Sequence, residues 1–148
     1  MALRRLQYWS DFRKDAVGTF AYETTFRLSK KIANDQMVNG KMVLDLTGVR
    51  ESAHVYVNGH DAGTLFCAPF LLDITPYLRP GKNSLRIEVT SLAANYLAEM
   101  DRRGIVWRNF KDANIANLKG GKVSYYGNWD VMPCGLDSVT LRLIQPNR

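Results

Sequence analysis

The sequence predicts an all-β fold: an antiparallel β-sandwich of jelly-roll type with one short helix. Three observations predict it. Apolar and polar residues alternate with period two in short runs, most clearly where Leu85, Ile87 and Val89 alternate with Arg86, Glu88 and Thr90. Successive strand side chains point to opposite faces, so such a run lines a core on one side and meets water on the other. Turn chemistry separates the runs, as at Asn58-Gly59 and Pro80-Gly81. Asn-Gly between two β-prone runs is a strong hairpin signal, because a type I′ turn needs positive φ at both central residues. Finally, about eight such runs follow one another with turns roughly every 8–12 residues and no β–α–β alternation, which argues against a parallel doubly wound sheet.

In chain order, Leu3 to Trp9 is apolar enough for a first strand, and Asp11 to Asp15 is charged and loop-like. Ala16 to Leu28 is a long β-prone stretch that places Phe20, Tyr22, Thr24 and Phe26 on one face. Ser29 to Gly40 is polar and ends in Asn39-Gly40, a loop. Met42 to Leu46 reads as a strand and Thr47 to Glu51 as a turn around Gly48. The hairpin around Asn58-Gly59 joins the run through Val55 and Val57 to that from Asp61 to Phe66. Phe70 to Ile74 leads into a turn at Thr75 to Leu78, and Pro80-Gly81 precedes the clearest strand. Leu92 to Arg103 changes period: Leu92, Tyr96 and Met100 recur every four residues, which predicts a short amphipathic helix with that apolar stripe inward. Gly104 suits its C-terminal end, and Arg102 and Arg103 suit its dipole. Ile105 to Pro133 is irregular and aromatic-rich, Val139 to Ile144 is a closing strand, and Gln145 to Arg148 a tail.

At 148 residues the chain is expected to be one domain, 1–148, with a core that needs no metal or staple. No apolar run approaches the roughly 18 residues that span a bilayer, and the N-terminal MALRRLQYWSDFRK lacks the apolar centre of a signal peptide. The net charge of +6 raises the question of nucleic acid. The basic residues are dispersed, with one mild cluster at Arg102, Arg103, Arg108, Lys111, Lys119 and Lys122, and no nucleic-acid-binding motif accompanies them; neither a nucleic acid nor a membrane is expected as partner. Cys67 and Cys134 stand far apart without metal-ligand spacing, and are expected to be unpaired thiols; one disulfide is the alternative for an exported domain.

A hydrolytic site built on acids needs two positioned carboxylates, one kept protonated. Asp45, Asp61, Asp73, Glu88 and Asp137 fall at strand edges or turns, while Glu99 and Asp101, two apart on a helix, face different ways, so no catalytic residue is assigned. His54 and His60 flank the hairpin without further ligands in register, so they are expected to be surface or edge-strand histidines and no metal site is assigned. The best ligand-site candidate is the aromatic-rich segment. Sugars stack their C–H faces on Trp and Tyr rings and satisfy their hydroxyls with Asn, Asp or Arg. Trp107, Arg108, Asn109, Tyr125, Tyr126, Asn128, Trp129 and Asp130 supply that mixture. The competing reading is that these rings seal an end of the sandwich or pack on a neighbouring domain, since aromatics carry large burial energy wherever they land.

Several motifs carry a family resemblance. They are Val55-x-Val57-Asn58-Gly59, Gly63, Asp73 to Thr75, Pro80-Gly81-x-Asn83, Ile87 to Thr90, Asn95-Tyr96-Leu97, Met132 to Leu136, and the opening strand Gly18 to Phe26. Together they resemble the sugar-binding, galactose-binding-like β-sandwich domain of family 2 glycoside hydrolases, especially the version appended to large bacterial α-L-rhamnosidase-type enzymes. Tyr96 stands where that family often has Arg, and Cys67 where it often has an aromatic residue. The resemblance implies a non-catalytic carbohydrate-binding or accessory domain, with catalysis in a separate barrel domain. It implies two partners, a plant or bacterial glycan and the catalytic domain of the same enzyme, and an extracytoplasmic location through the parent protein. It also implies that Asn95 can face the active-site side of that barrel, the local alternative being a hydrogen bond to nearby backbone. No cofactor is implied; structural calcium occurs in such sandwiches, but no run of acids here predicts it. Three other readings stay open. One is a stand-alone lectin-like module, and one an enzyme in its own right. The third is a structural domain docked on a catalytic domain, which predicts an apolar patch and no concave polar pocket.

Overall fold

The computed structural model describes residues 5–32, 40–107 and 125–145. Ten strands lie within them: β1 (Gln7–Tyr8), β2 (Thr19–Leu28), β3 (Lys41–Asp45), β4 (Val49–Arg50), β5 (Ser52–Val57), β6 (His60–Leu65), β7 (Leu71–Asp73), β8 (Gly81–Thr90), β9 (Gly135–Leu136) and β10 (Thr140–Ile144). Residues 30–32 are helical where a loop was expected, and the α-helix α1 (Ala94–Arg102) follows β8. The strands form three antiparallel sheets, ordered β2-β8-β5-β6, β10-β3-β7 and β1-β9-β4. The all-β sandwich expected from the strand period is the fold observed. Among the described residues no helix is long and apolar enough to cross a membrane.

The four-stranded sheet is built by alternation. Its inward residues Val55, Val57, Leu85, Ile87 and Val89 are buried. They join Met42, Leu44, Leu46, Val49, Ile74 and Leu136 in one core cluster that touches all three sheets. Register is continuous from Thr19 opposite Thr90 to Leu28 opposite Gly81. The outward set, including His54, Tyr56, Ser84, Arg86 and Glu88, stays at the surface. On β2, Tyr22 and Phe26 lean on the core as expected, whereas Phe20 remains partly exposed beside Trp9, their ring centroids 4.6 Å apart.

The Asn58-Gly59 hairpin forms as its residues require, with φ of 53° and 83°. The segment expected to be a first strand is shorter. Only Gln7–Tyr8 pairs, and Trp9–Asp11 turns into a 3-10 helix that drops the Trp9 ring, 2% exposed, into the core. The turn expected at Thr47 to Glu51 instead carries β4, which pairs with β9. Neither two-residue strand has enough alternation to be seen in the sequence; both exist because a third segment arrives beside them. β3 also differs from the one-sided strand expected: it is central in its sheet, and Met42, Val43, Leu44 and Asp45 are all buried.

Two Asp-apolar-Thr triplets end the adjacent strands β3 and β7. In each, the carboxylate bonds the Thr two residues on: Asp45 Oδ1 accepts from Thr47 N (2.9 Å) and Thr47 Oγ1 (2.5 Å), and Asp73 Oδ1 accepts from Thr75 N (3.0 Å) and Thr75 Oγ1 (2.6 Å). The apolar middle residues, Leu46 and Ile74, are fully buried. Arg142 pairs with Asp45 at 2.5 Å and Lys41 with Asp73 at 3.2 Å. The Thr47 and Thr75 bonds, with these cations, hold both carboxyls below their ordinary pKa. A carboxyl depressed in the folded state stabilises the fold above its unfolded pKa, and that contribution disappears as pH falls through the folded value. Unfolding stability is therefore expected to drop as pH is lowered past the ordinary carboxylate value of 3.8. Asp45→Asn should be less stable at neutral pH yet show a flatter acid limb, the two curves converging in strong acid; urea unfolding across the pH range measures this.

Candidate functional site

The helix α1 and the returning segment 125–136 build the site. α1 ends on Gly104 at φ 66°, where the Gly104 N–H bonds the Asp101 carbonyl and the Ile105 N–H the Met100 carbonyl, both at 3.0 Å. This Schellman closure needs a residue tolerant of positive φ, which Gly supplies. Glu99 pairs with Arg103 at 2.7 Å and Arg102 at 3.3 Å, and these cations hold its carboxyl below the usual range.

The buried side of α1 is not the one its period suggested. Leu92 and Tyr96 are exposed at 53% and 41%, while Asn95 and Ala98 face inward. The cause is polar. Asn95 Nδ2 donates to the Met132 carbonyl and Asn95 Oδ1 accepts from the Met132 N–H, each at 2.8 Å. Its amide thus clamps one residue of the returning chain from both sides, and a buried amide so satisfied outweighs an apolar stripe in setting the helix rotation. Nδ2 also lies 3.3 Å from the Cys134 sulfur, whose thiol pKa is pushed up by burial. Cys134 is buried and Cys67 exposed, both as free thiols.

At the other end of α1, one carboxylate and one guanidinium gather the aromatic segment. Asp101 Oδ1 accepts from Trp107 Nε1 at 2.7 Å and Asp101 Oδ2 from the Tyr126 N–H at 2.6 Å. Arg102 donates to the carbonyls of Gly127 (2.9 Å) and Trp129 (2.8 Å). The rings then follow in sequence, Trp107 tilted against Tyr126 at 5.8 Å and Tyr126 stacked on Trp129 at 4.4 Å between centroids. The Tyr125 ring lies over Gly127, where a Cβ would collide with it. Tyr125 and Trp129 remain about half exposed, at 52% and 46%, and Asn128 and Asp130 are exposed beside them.

Of the candidate residues, the structure therefore gathers Trp107, Tyr126 and Trp129 into one cluster of rings, with Tyr125, Asn128 and Asp130 on the same turn. Asn95 stands apart, its amide occupied by the Met132 backbone. Arg108 and Asn109 lie outside the described residues. Asp101 and Arg102, which position this turn, were not among the candidates: Asp101 stood only as an acid facing away from Glu99, and Arg102 only as a cation of the helix dipole and of a dispersed basic cluster. A carboxylate and a cation in the last turn before an aromatic-rich segment were the available signal. The histidine expectation is refined too: His60 sits on edge strand β6, but His54 is on the inner strand β5, bonded to Asp61 at 2.9 Å.

Residues 10–138 match the family model described as glycosyl hydrolase 2 galactose-binding domain-like. The chain belongs to that family. Among curated relatives of the galactose-binding-like domain, a Formosa agariphila protein named "Putative beta-glucuronidase" is 34% identical over 77% of this chain. Among solved structures, the rhamnosidase from Novosphingobium sp. PP1Y superposes with a TM-score of 0.72 at 28% identity over 97% of this chain. A Ruminococcus gnavus β-glucuronidase, at TM-score 0.52 and 24% identity over 62% of the chain, shares the fold. The chain spans only 10% of the Formosa protein and 13% of the rhamnosidase chain. The resemblance read from the hairpin, Asp-Ile-Thr and Pro-Gly-x-Asn motifs is thus the family observed, and these relatives are glycosidases by name.

Proposed function

We propose that this galactose-binding-like domain is a non-catalytic accessory domain of a glycoside hydrolase, and that its Tyr125–Asp130 turn extends a sugar-binding cleft formed with the catalytic part of the enzyme. The observation that carries the reading is the turn itself: Asp101 holds the Tyr126 N–H and Arg102 the Gly127 and Trp129 carbonyls, and Tyr125 and Trp129 stand half exposed beside Asn128 and Asp130. Rings presented at fixed angles with polar neighbours suit stacking on sugar C–H faces. Among the described residues, Asp45, Asp73 and Glu99 have carboxyls held below their ordinary range, the opposite of what a glycosidase general acid needs.

A second reading has its own support. Tyr96, Ile105, Val106, Trp129 and Met132 are all exposed, Val106 at 85%, and fall on or near α1. Such residues suit a face docked on another domain.

Trp129→Ala in the enzyme that carries this domain separates the two. Contact with sugar predicts a KM raised by up to about tenfold with kcat little changed, since an aromatic stacking contact is worth about 0.5–1.5 kcal/mol. Docking alone predicts an unchanged KM and a lower melting temperature. Turnover of nitrophenyl rhamnosides, galactosides or glucuronides by the 148-residue chain itself would overturn the non-catalytic reading.

A further inference from the structure

A second surface lies on the outward face of the four-stranded sheet. A groove of about 720 Å³ runs there, lined among the described residues by Glu23, Thr25, Tyr56, Gly59, Ser84 and Arg86, with Thr24 and Leu85 beneath. Register explains the grouping. Glu23 lies opposite Arg86 and Arg86 opposite Tyr56, so these three form one row across β2, β8 and β5, and Thr25 opposite Ser84 starts the next.

The row is braced. Arg86 binds the Glu23 carboxylate and reaches Glu88 Oε1 with two nitrogens, at 2.6 and 3.0 Å. The Tyr56 ring stacks on His54 with centroids 4.5 Å apart, and its hydroxyl lies 3.5 Å from His54 Nδ1. His54 Nε2 is bonded to Asp61 at 2.9 Å, and the same Asp61 oxygen accepts the Gly63 N–H. The side chains around the groove are therefore oriented before any ligand arrives, which removes part of the ordering cost of binding.

We infer that this groove is a second binding site, taking the neutral residues of a carbohydrate chain, with Tyr56 as the ring platform and Glu23, Arg86, Thr25 and Ser84 as the hydroxyl partners. Charge decides against anions: Arg86, the only cation lining the groove among the described residues, already sits between two carboxylates. An added peptide strand would pair along the open edge of β2, beside the groove and not across it, because β8 and β5 are inner strands whose ladders are paired on each side. A sugar needs neither. Its hydroxyls donate to Glu23 and accept from Arg86, and both donate to and accept from Thr25 and Ser84, while an apolar C–H face meets the tyrosine. The inference does not rest on the reading of the Trp129 turn, and the test keeps the two apart.

The experiment is an amide NMR titration of the full 148-residue chain with neutral xylo- and manno-oligosaccharides, an oligogalacturonate and a tetralysine peptide. The expected result is millimolar or tighter binding of a neutral oligosaccharide, with shifts at Tyr56, Ser84 and Arg86. Tyr56→Ala should weaken it by about tenfold or more, Tyr56→Phe by less, and Trp129→Ala not at all. Should Tyr56→Ala fail to fold, Glu23→Ala on the exposed edge strand serves, with weakening again expected. Absence of shifts at these amides with every neutral sugar, preference for oligogalacturonate or tetralysine, or neutral-sugar binding that neither variant weakens overturns the proposal.

Discussion

Asn83→Ala is expected to lower the unfolding free energy by about 3–5 kcal/mol, measured as a shift of the urea midpoint. Asn83 is fully buried. Its Oδ1 accepts from the Arg79 N–H at 3.0 Å and from Asn58 Nδ2 at 2.8 Å, and its Nδ2 donates to the carbonyls of Arg79 (2.8 Å) and Gly81 (3.1 Å). Alanine removes the partner of three part-buried backbone groups of the Arg79–Gly81 turn and of Asn58 Nδ2, and a group left buried without a partner costs about 1–3 kcal/mol. The effect reaches the hairpin as well. Asn58 Nδ2 also bonds the Tyr77 carbonyl at 2.8 Å, and Asn58 Oδ1 receives the Ser84 N–H at 3.0 Å. The two asparagines thus tie the β5–β6 turn to the turn before β8. Asn58→Gly keeps the positive φ but loses these bonds, and should be milder on its own. Combined with Asn83→Ala it should cost clearly less than the sum, because both changes dismantle one network. Additivity would show that the network is not shared.

Gly135→Ala is expected to cost at least about 3 kcal/mol and to disturb the candidate site from a distance. Gly135 has a φ of 116°, and a Cβ there would meet Tyr22 Oη at 2.5 Å, Trp9 Cε3 at 2.9 Å and the Trp9 backbone nitrogen at 3.1 Å. Backbone strain and overlap therefore add. Gly59 separates them: its φ is 83° but nothing lies within 4 Å of its Cβ position. Gly59→Ala should cost only the backbone part, about 1–2 kcal/mol. The tight approach at Gly135 belongs to a crossing of three segments. The Trp9 N–H bonds the Cys134 carbonyl at 3.0 Å, the Cys134 N–H bonds Ser10 Oγ at 3.1 Å, and the Leu136 N–H bonds Tyr22 Oη at 3.1 Å. One residue earlier the chain passes Cys134, and two before that Met132, which Asn95 holds. Displacing Gly135 should therefore loosen the Asn95 clamp, seen as lost protection of the Met132 amide in hydrogen exchange. Protection unchanged in a destabilised Gly135→Ala chain would sever that link.

Both expectations concern residues whose motifs stood in the sequence, but for different physical reasons. Asn83 in Pro-Gly-x-Asn and Asn58 in Asn-Gly signalled turns, and turns formed there. That the two side chains meet, 25 positions apart, follows only once β5 pairs with β8. The helix shows the same division. Its existence and its glycine stop were legible from period and composition, since both are local. Its rotation was not, because the decision lay with one amide, Asn95, and a backbone unit 37 residues away. The aromatic turn was visible as composition, but Asp101 and Arg102, which fix its geometry, looked like an ordinary last helical turn until segment 125–130 came back against them.

Whatever depends on neighbours along the chain was legible before folding: strands from a period of two, hairpins from residues that tolerate positive φ, a helix from a period near four, and through these motifs the family. The tertiary structure alone decided which polar side chains meet. The Asp45–Arg142 and Asp73–Lys41 ion pairs, the Asn95 clamp, the Asp101–Arg102 support and the braced row of Glu23, Arg86 and Tyr56 each join residues placed together by sheet register or by a returning segment. A polar side chain acquires its role from the partner it is given, and only the folded chain names that partner.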